Sequence, residues 1–331
     1  MIGAACSTGR DSSGNGRSAL GRWQLSVGYR KQRSHRHFVG TVEQKEREEL
    51  ETAIVNDVHL FDFGLTYNFS PRYSLSVGVP FMYATRVRPA QLDRLRGIPD
   101  APDQVSHGIG FGDVGVTARA WVLNPEREDR PRQNISFGVG LKIPTGNEGV
   151  RDTVQTPAGP REVVVDQSIQ LGDGGWGVTF STDMYQRLWK TTLYGSGVYL
   201  VNPRNTNGVL TGRGRASEAI MSVSDQYLAR AGVVFPVPKA RGWTASLGGR
   251  IEGVPVRDII GKSEGFRRPG YAISVEPGVN WMRNAKETWS VTVPVAVERN
   301  RRRSVTDIMD GRHGDAAFAD YVITVGYSRR F

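Results

Sequence analysis

The sequence predicts an all-β protein: a transmembrane antiparallel β-barrel of about twelve strands. Apolar and polar residues alternate with a period of two in segment after segment. The connections between these segments are alternately short and long, and aromatic residues collect at the segment ends. No apolar run approaches the roughly 18 residues that a spanning helix needs. A barrel needs no such run, because only every second residue of its strands faces lipid.

The predicted barrel occupies residues 21–331, after a Gly-, Ser- and Arg-rich stretch, residues 1–20, that is predicted to be a flexible N-terminal segment. Forty glycines among 331 residues suit tight turns and a crowded interior. The alternating segments are centred on 23–30, 61–69, 73–83, 114–122, 135–143, 176–183, 191–202, 227–235, 243–251, 271–281, 289–297 and 321–331. Pro80 and Pro294 fall inside strands, so we expect a bulge or kink at each.

The connections follow the outer-membrane pattern of short periplasmic turns and long extracellular loops. The short ones lie near 70–72, 124–133, 189–190, 238–242 and 283–287. The long ones lie near 34–54, 88–109, 145–172, 203–224, 257–269 and 300–318. In the first of these, the run Glu43 to Glu51 either forms a short exposed helix or extends the hairpin.

Aromatic residues at the strand ends predict membrane girdles, since amphipathic rings prefer the headgroup region. The girdle predicted at the short-turn end consists of Trp23, Phe69, Tyr73, Trp243, Trp281, Trp289 and Phe331. A soluble β-sandwich gives no reason for such sorting. The sequence therefore favours a membrane protein in contact with outer-membrane lipids and lipopolysaccharide.

The segment Tyr321–Phe331 resembles the closing strand of bacterial outer-membrane β-barrels, which ends in Phe and is read by the barrel assembly machinery. Arg329 departs from that pattern, because an aromatic or aliphatic residue is usual there. The expected location is the bacterial outer membrane. Such a protein needs a signal peptide, so we expect that a leader was removed from this sequence or that the true start lies elsewhere.

The inward face of the predicted strands carries charges of both signs. The candidates for a lumen or solute path are Asp62, Asp113, Arg119, Lys142, Asp183, Arg230, Arg250, Glu276 and Glu298. Buried charges must be paired or hydrated, so they indicate either ion-pair networks across the barrel or a water-filled path. The net charge of +10, from 43 basic and 33 acidic residues, favours anionic partners. The single cysteine, Cys6, excludes an internal disulfide and a cysteine metal cluster.

Three glycine-containing motifs stand in order at strand ends: Gly110-Phe111-Gly112-Asp113, Leu141-Lys142-Ile143-Pro144-Thr145-Gly146 and Leu171-Gly172-Asp173-Gly174-Gly175-Trp176. Together they resemble a widespread family of outer-membrane barrels named for a meta-cleavage pathway of phenol degradation. The resemblance covers about residues 21–331 and implies a barrel that transports aromatic or hydrophobic compounds. In that family an acidic residue often follows the aromatic of the third motif, whereas this chain has Gly177 and Val178.

The predicted function is passive uptake or efflux of small solutes, without enzymatic activity or a cofactor. One alternative is a closed structural or adhesion barrel that binds lipopolysaccharide through loop arginines at 213, 215, 267–268 and 301–303. A less favoured alternative is a hydrolase that uses His107 with Asp103 or Ser106. His35 and His37 form a weak metal candidate. Nucleic acid is not an expected partner, and no helix follows Gly110-Phe111-Gly112 as a nucleotide loop requires.

Overall fold

A computed structural model describes residues 22–126 and 131–331, so the predicted N-terminal segment 1–20 lies outside the described residues. Within them, twelve long strands each pair antiparallel with their sequence neighbours. The last strand pairs with the first, Gln24 opposite Arg330 through to Phe38 opposite Ala316, and this pairing closes the sheet. The predicted twelve-stranded antiparallel barrel is confirmed.

The barrel strands are β1 (Trp23–Val39), β2 (Val55–Asn68), β3 (Tyr73–Arg88), β4 (Gln104–Phe111 and Val114–Trp121), β5 (Gln133–Ile143), β6 (Gly177–Leu188), β7 (Thr191–Val201), β8 (Gln226–Pro236), β9 (Trp243–Val254), β10 (Gly270–Met282), β11 (Glu287–Thr292 and Val295–Arg301) and β12 (Ala316–Arg330). The loops hold the helices α1 (Glu46–Glu49), α2 (Gln91–Arg94) and α3 (Val305–Met309), and 3-10 turns at Gln167–Ile169 and Ala216–Glu218. Their short strands are Val42–Glu43, Arg151–Thr156, Gly159–Val164, Thr206–Leu210 and Ile220–Ser222. Each described helix is too short and too polar to cross a membrane.

The connections are alternately short and long, as predicted. At one end of the barrel lie 69–72, 122–132, 189–190, 237–242 and 283–286, and at the other lie 40–54, 89–103, 144–176, 202–225, 255–269 and 302–315. We call these the short-turn end and the loop end. The 17 residues of β1, at about 3.3 Å each, extend far beyond a hydrocarbon layer of about 30 Å even when tilted. The strands therefore continue past the membrane at the loop end. The acidic run in the first loop forms a short helix, α1.

Alternation along the strands gives the barrel an apolar outer face. Phe63, Leu65, Val77 and Phe180, for example, are all exposed, while their sequence neighbours point inward. Six of the seven aromatics predicted for the short-turn girdle are exposed, and Trp281 is half-buried because it stacks on Trp243 with ring centroids 5.7 Å apart. The outer surface is thus the apolar band with aromatic ends that lipid contact requires.

Both prolines predicted to disturb a strand do so, in different ways. Pro294 separates the two pieces of β11, and its carbonyl accepts the Val322 N–H at 3.0 Å. At Pro80, β3 continues unbroken and the irregularity lies in its neighbour β4, where residues 112–114 face residues 79–80. Gly112 donates its N–H to the Pro80 carbonyl at 2.8 Å. Since proline donates no bond, the extra residue of the bulge restores the pairing from the adjacent strand.

The long loop 144–176, which we call the inner loop, covers part of the barrel interior. Val58 and Leu60 on β2 and Met82 and Ala84 on β3 are buried apolar residues that point inward, and we call these four the wall patch. Val165 and Ile169 of the inner loop pack on the wall patch and are themselves 1% and 0% exposed. The interior at the loop end therefore has an apolar core that the strand alternation alone did not predict.

Candidate functional site: the charged barrel interior

Charged side chains from four strands form a network inside the barrel, which we call the crossing network. Its members are Arg30 on β1, Arg230 on β8, Arg250 and Glu252 on β9, and Glu276 on β10. Glu276 is 1% exposed and accepts from Arg230 at 3.4 Å and from Arg250 at 3.3 Å. Glu252 accepts from Arg250 at 2.7 Å. Each buried charge thus has an opposite charge beside it, which burial requires.

The crossing network joins strands that are not neighbours in the sheet. Arg30 reaches Glu252 at 3.1 Å, although β1 and β9 are separated by three other strands around the wall. The Arg30–Glu252 contact therefore crosses the barrel interior and does not follow the wall from strand to strand. Of the two arrangements that the sequence left open, an ion-pair network across the barrel is the one that these residues form.

Most of the other lumen candidates also lie inside. Arg119 on β4 pairs with Asp183 on β6 across the intervening strand. Lys142 on β5 pairs with Asp173 of the inner loop and lies 3.5 Å from Asp113. Asp62 is half-buried on the inward phase of β2, opposite Pro80.

Glu298 is an exception, and the prediction that it faces the lumen is wrong. A β-bulge shifts the pairing of β10 and β11, so that Glu298 stands opposite Ile273 on the outer face. Its side chain accepts a hydrogen bond from the Tyr271 hydroxyl at 2.8 Å at an exposed position. The same shift turns Arg299 inward, where it is 8% exposed and donates to Asp320 at 2.8 Å. Strict alternation through the bulge was the cause of the error.

The three glycine motifs meet at one point on the wall, at the bulge of β4. Asp113 accepts the Gly146 N–H at 3.0 Å, and Gly172 lies so close that a Cβ there would stand 2.6 Å from the Asp113 carboxylate. The Thr145 hydroxyl donates to the Gly112 carbonyl at 3.0 Å and accepts the Val114 N–H at 3.0 Å. These contacts fasten both ends of the inner loop to the barrel wall. We call this point the motif junction.

At the loop end, three arginines converge on one carboxylate of the inner loop. Arg268 donates to Asp166 from both terminal guanidinium nitrogens, at 2.8 and 2.7 Å. Arg86 lies 3.4 Å and Arg213 3.5 Å from the same carboxylate. Burial by itself would raise the pKa of Asp166, but the arginines hold this pKa well below its usual range. We call Arg86, Arg213 and Arg268 the arginine clamp.

Sequence reasoning placed Arg213 and Arg268 among the loop arginines of the lipopolysaccharide-binding alternative and did not single out Arg86 or Asp166. The signal that was available is the wall patch, because Val58, Leu60, Met82 and Ala84 are apolar at positions that the alternation assigns to the polar interior. Such an apolar stretch requires a cover. Which loop supplies it depends on contacts distant in sequence and could not be read from the strands.

The histidines make separate pairs with carboxylates. His107 bonds Asp152 at 2.9 Å, and Asp103, its partner in the hydrolase alternative, instead accepts the Ala90 N–H at 2.7 Å. His37 bonds Asp315 at 2.7 Å, whereas His35 lies 3.8 Å from Asp320. Across residues 22–126 and 131–331, no three His, Cys, Asp or Glu side chains are grouped as metal ligands.

A closed antiparallel sheet with an apolar outer face, a charged interior, short turns at one end and long loops at the other defines a transmembrane β-barrel of the outer-membrane class. The known structures agree with this class. An outer-membrane channel from Pseudomonas putida F1 is similar, with a TM-score of 0.62 and 13% identity over 97% of this chain and 99% of that one.

Two further barrels have lower similarity to the chain. The translocator domain of the autotransporter NalP from Neisseria meningitidis has a TM-score of 0.47 and 10% identity over 95% of this chain and 90% of that one. The toluene transporter TbuX from Ralstonia pickettii has a TM-score of 0.42 and 10% identity over the same shares. Comparison of the sequence with protein-family profiles and with curated proteins gave no match.

Proposed function

We propose that the protein is a channel of the bacterial outer membrane through which small solutes move passively. The observation that carries the proposal is that the crossing network leaves part of its charge accessible: the side chains of Arg30, Arg230 and Glu252 are 17%, 18% and 23% exposed on the inner side of a barrel whose outer face is apolar. Fixed charges on the inner wall of a membrane pore select ions and polar solutes. The similarity in fold to the Pseudomonas putida channel supports the same role. Aromatic or hydrophobic compounds are the solutes that the sequence resemblance implies.

Conductance across a planar bilayer tests the proposal. We expect the purified barrel to conduct KCl, and we expect Glu276→Gln to shift its reversal potential toward anion selectivity, because one buried negative charge is removed from the interior. Glu298→Gln is the matched control, since this glutamate lies on the outer face of the adjacent strand. Arg119→Ala, at a less buried pair, is expected to shift selectivity toward cations.

Two results would contradict the proposal. One is a folded barrel that carries no current at any voltage. The other is a reversal potential that responds equally to the inner and outer glutamate variants, because the crossing network would then not line the path of the ions.

A closed barrel that binds lipopolysaccharide is a second candidate, favoured by a cleft of about 860 Å³ at the loop end. Arg257, Arg302 and Arg303 line it beside the apolar Ile308. Guanidinium groups bind phosphate well, and an apolar neighbour suits a lipid. Arg267 and Arg301 do not contribute, because they are 1% and 2% exposed in ion pairs with Asp258 and Asp307.

The test of this candidate is the lipopolysaccharide phosphate that co-purifies with the barrel. It should fall by more than half in the double variant Arg302→Gln/Arg303→Gln and should be unchanged in Arg161→Gln, an exposed arginine of the inner loop. Equal phosphate in all three proteins would exclude the cleft as the binding site.

A further inference from the structure

We propose that the arginine clamp and the wall patch together form a binding site for a small carboxylate with an apolar body, and that Asp166 of the inner loop occupies this site as an internal competitor. The inference rests on the proposed function as a channel, and it names the class of solute. It follows from how the segment 165–169 is held.

The clamp has the geometry of a carboxylate receptor. The two terminal guanidinium nitrogens of Arg268 face the two oxygens of Asp166 as a parallel fork, the arrangement that planar carboxylates favour. Arg86 comes from the end of β3, Arg213 from the loop 202–225 and Arg268 from the loop 255–269. Three separate elements thus bring positive charges to one point.

Three arginines share the one carboxylate of Asp166 within ion-pair distance, and other acids lie further from the clamp. Arg213 has a second carboxylate neighbour, Glu218 at 3.6 Å, which also pairs with Arg312. Asp315 is a further acid whose field reaches the clamp. Burial, followed by the repulsion of Arg268, lowers the pKa of Arg213 to about 10. Arg213 stays charged at neutral pH, and an anion bound beside it would offset the repulsion from Arg268.

An aromatic ring holds two of the guanidinium groups in place. Phe266 is 3% exposed, and its ring centroid lies 3.9 Å from the Arg213 Cζ and 4.9 Å from the Arg268 Cζ. Stacking on the ring fixes guanidinium planes and lowers the entropy lost when an anion binds. The clamp is therefore organised around a buried ring and not only around Asp166.

The residues beside Asp166 supply the apolar half of the ligand. Val165 and Ile169 rest on the wall patch while the carboxylate between them enters the clamp. A carboxylate attached to an apolar body has the same two parts. Uncovering the wall patch costs free energy in proportion to the apolar surface exposed to water. An apolar solute recovers this free energy, whereas an inorganic anion recovers only the ionic part.

Benzoate is the test ligand, with benzamide as its uncharged counterpart. We expect Asp166→Asn to tighten benzoate binding to the detergent-solubilised barrel by about tenfold or more, because the competitor for the site is removed. Benzamide binding should not change. Glu162→Gln, an exposed acid of the same loop, should bind benzoate as the wild type does. Isothermal titration calorimetry measures each of these affinities.

The clamp arginines are tested in the Asp166→Asn background. Adding Arg268→Gln should abolish the gain in benzoate affinity, and adding Arg215→Gln should not, since this exposed arginine lies outside the clamp two residues from Arg213. Equal benzoate affinity in the wild type, Asp166→Asn and the Arg268→Gln double variant would overturn the inference.

A measurement on the wild type covers the case in which these variants do not fold. Saturating benzoate should speed hydrogen exchange at the amides of residues 165–169, where the Ile169 N–H now donates to the Asp166 carbonyl at 3.0 Å, and benzamide should not. Unchanged exchange would also overturn the inference. KCl conductance of the same samples separates the two proposals. Current without benzoate binding supports the channel and rejects the carboxylate site, and benzoate binding without current supports the site and rejects the channel.

Discussion

Asp315 ties together the base of the last long loop and the end of the first strand. Its carboxylate accepts from His37 Nδ1 at 2.7 Å and from Arg47 at 2.8 Å. Burial by itself would raise the pKa of Asp315, but the hydrogen bond from His37 and the charge of Arg47 lower it to about 2. The fold therefore favours the ionised form of Asp315, and by linkage the ionised carboxylate raises the free energy of unfolding.

We expect Asp315→Asn to lower the free energy of unfolding by about 2 kcal/mol at pH 7. A lowered pKa stabilises the fold above the pKa of the unfolded chain, near 4, and this contribution is lost as the pH falls toward 2. The difference between variant and wild type should accordingly shrink between pH 4 and pH 2. Denaturant unfolding in detergent, followed by tryptophan fluorescence, measures it.

The matched control is Glu264→Gln, an exposed acid whose neighbour Lys262 is also exposed. Its stability should equal that of the wild type at every pH, since exposed pairs contribute little. A difference for Asp315→Asn that stays constant from pH 7 to pH 2 would contradict the electrostatic explanation.

Glu298 shows the limit of reading single residues from a pattern. Its place in the alternation assigns it to the lumen, and the bulge between β10 and β11 moves it to the outer face. One extra residue exchanges the inner and outer faces for every later side chain of the strand, and no residue type in this stretch indicates the bulge. Arg299 and Arg301, by contrast, gain inward and buried positions through the same shift.

At the scale of elements, the inner loop depends on the absence of side chains at the motif junction. At Gly172 a Cβ would lie 2.6 Å from both the Asp113 carboxylate and the Gly146 carbonyl. Both atoms are fixed, the first by its bond to the Gly146 N–H and the second by the backbone. The three motifs therefore have a structural reason to occur together: they close the loop onto the wall.

We expect Gly172→Ala to destabilise the attachment of the inner loop by about 1–3 kcal/mol, the usual cost of overpacking. Trypsin should then cleave faster at Arg151 and Arg161 within this loop. Gly115→Ala is the control, because a Cβ at this neighbouring strand position meets nothing within 4 Å. Equal cleavage rates in the two variants would show that the junction does not hold the loop.

Across residues 22–126 and 131–331, the barrel sheet closes on itself and its long strands leave no free edge. The seam between β12 and β1 closes it, and beside this seam the backbone N–H of Phe331 donates to the Trp23 carbonyl at 2.9 Å. A closed set of backbone bonds resists detergent, because no edge is open to begin unfolding. Phe331 therefore lies beside the seam where the barrel closes, and we propose that the assembly machinery recognises Tyr321–Phe331 there.

We expect the unboiled protein from the outer-membrane fraction to migrate differently from the boiled protein on a denaturing gel. Phe331→Ala should reduce the amount of this heat-modifiable form at least twofold, since it removes an aromatic of the segment that we propose the assembly machinery recognises. Phe69→Ala, an exposed aromatic at the same end, is the control and should assemble normally. Wild-type protein in the soluble fraction without a gel shift would overturn the membrane assignment.

The sequence by itself determined the class of fold, the number of strands, their connections and the outer face. These follow from local rules: side chains alternate along a strand, turns need particular residues, and lipid accepts only apolar side chains over many successive strands. Each strand repeats the same signal, so one irregular strand does not change the conclusion. Most of the inward charges, such as Arg119, Arg250 and Glu276, were found for the same reason.

Only the tertiary structure decided which charges meet and what covers the interior. Arg30 and Glu252 are 222 positions apart in the chain, and Asp166 and Arg268 are 102 apart. No periodicity connects such pairs, because their contact depends on strand register, bulges and the path of a loop through the lumen. For this reason the sequence does not predict the arginine clamp: it shows the residues that form the clamp but not that they meet.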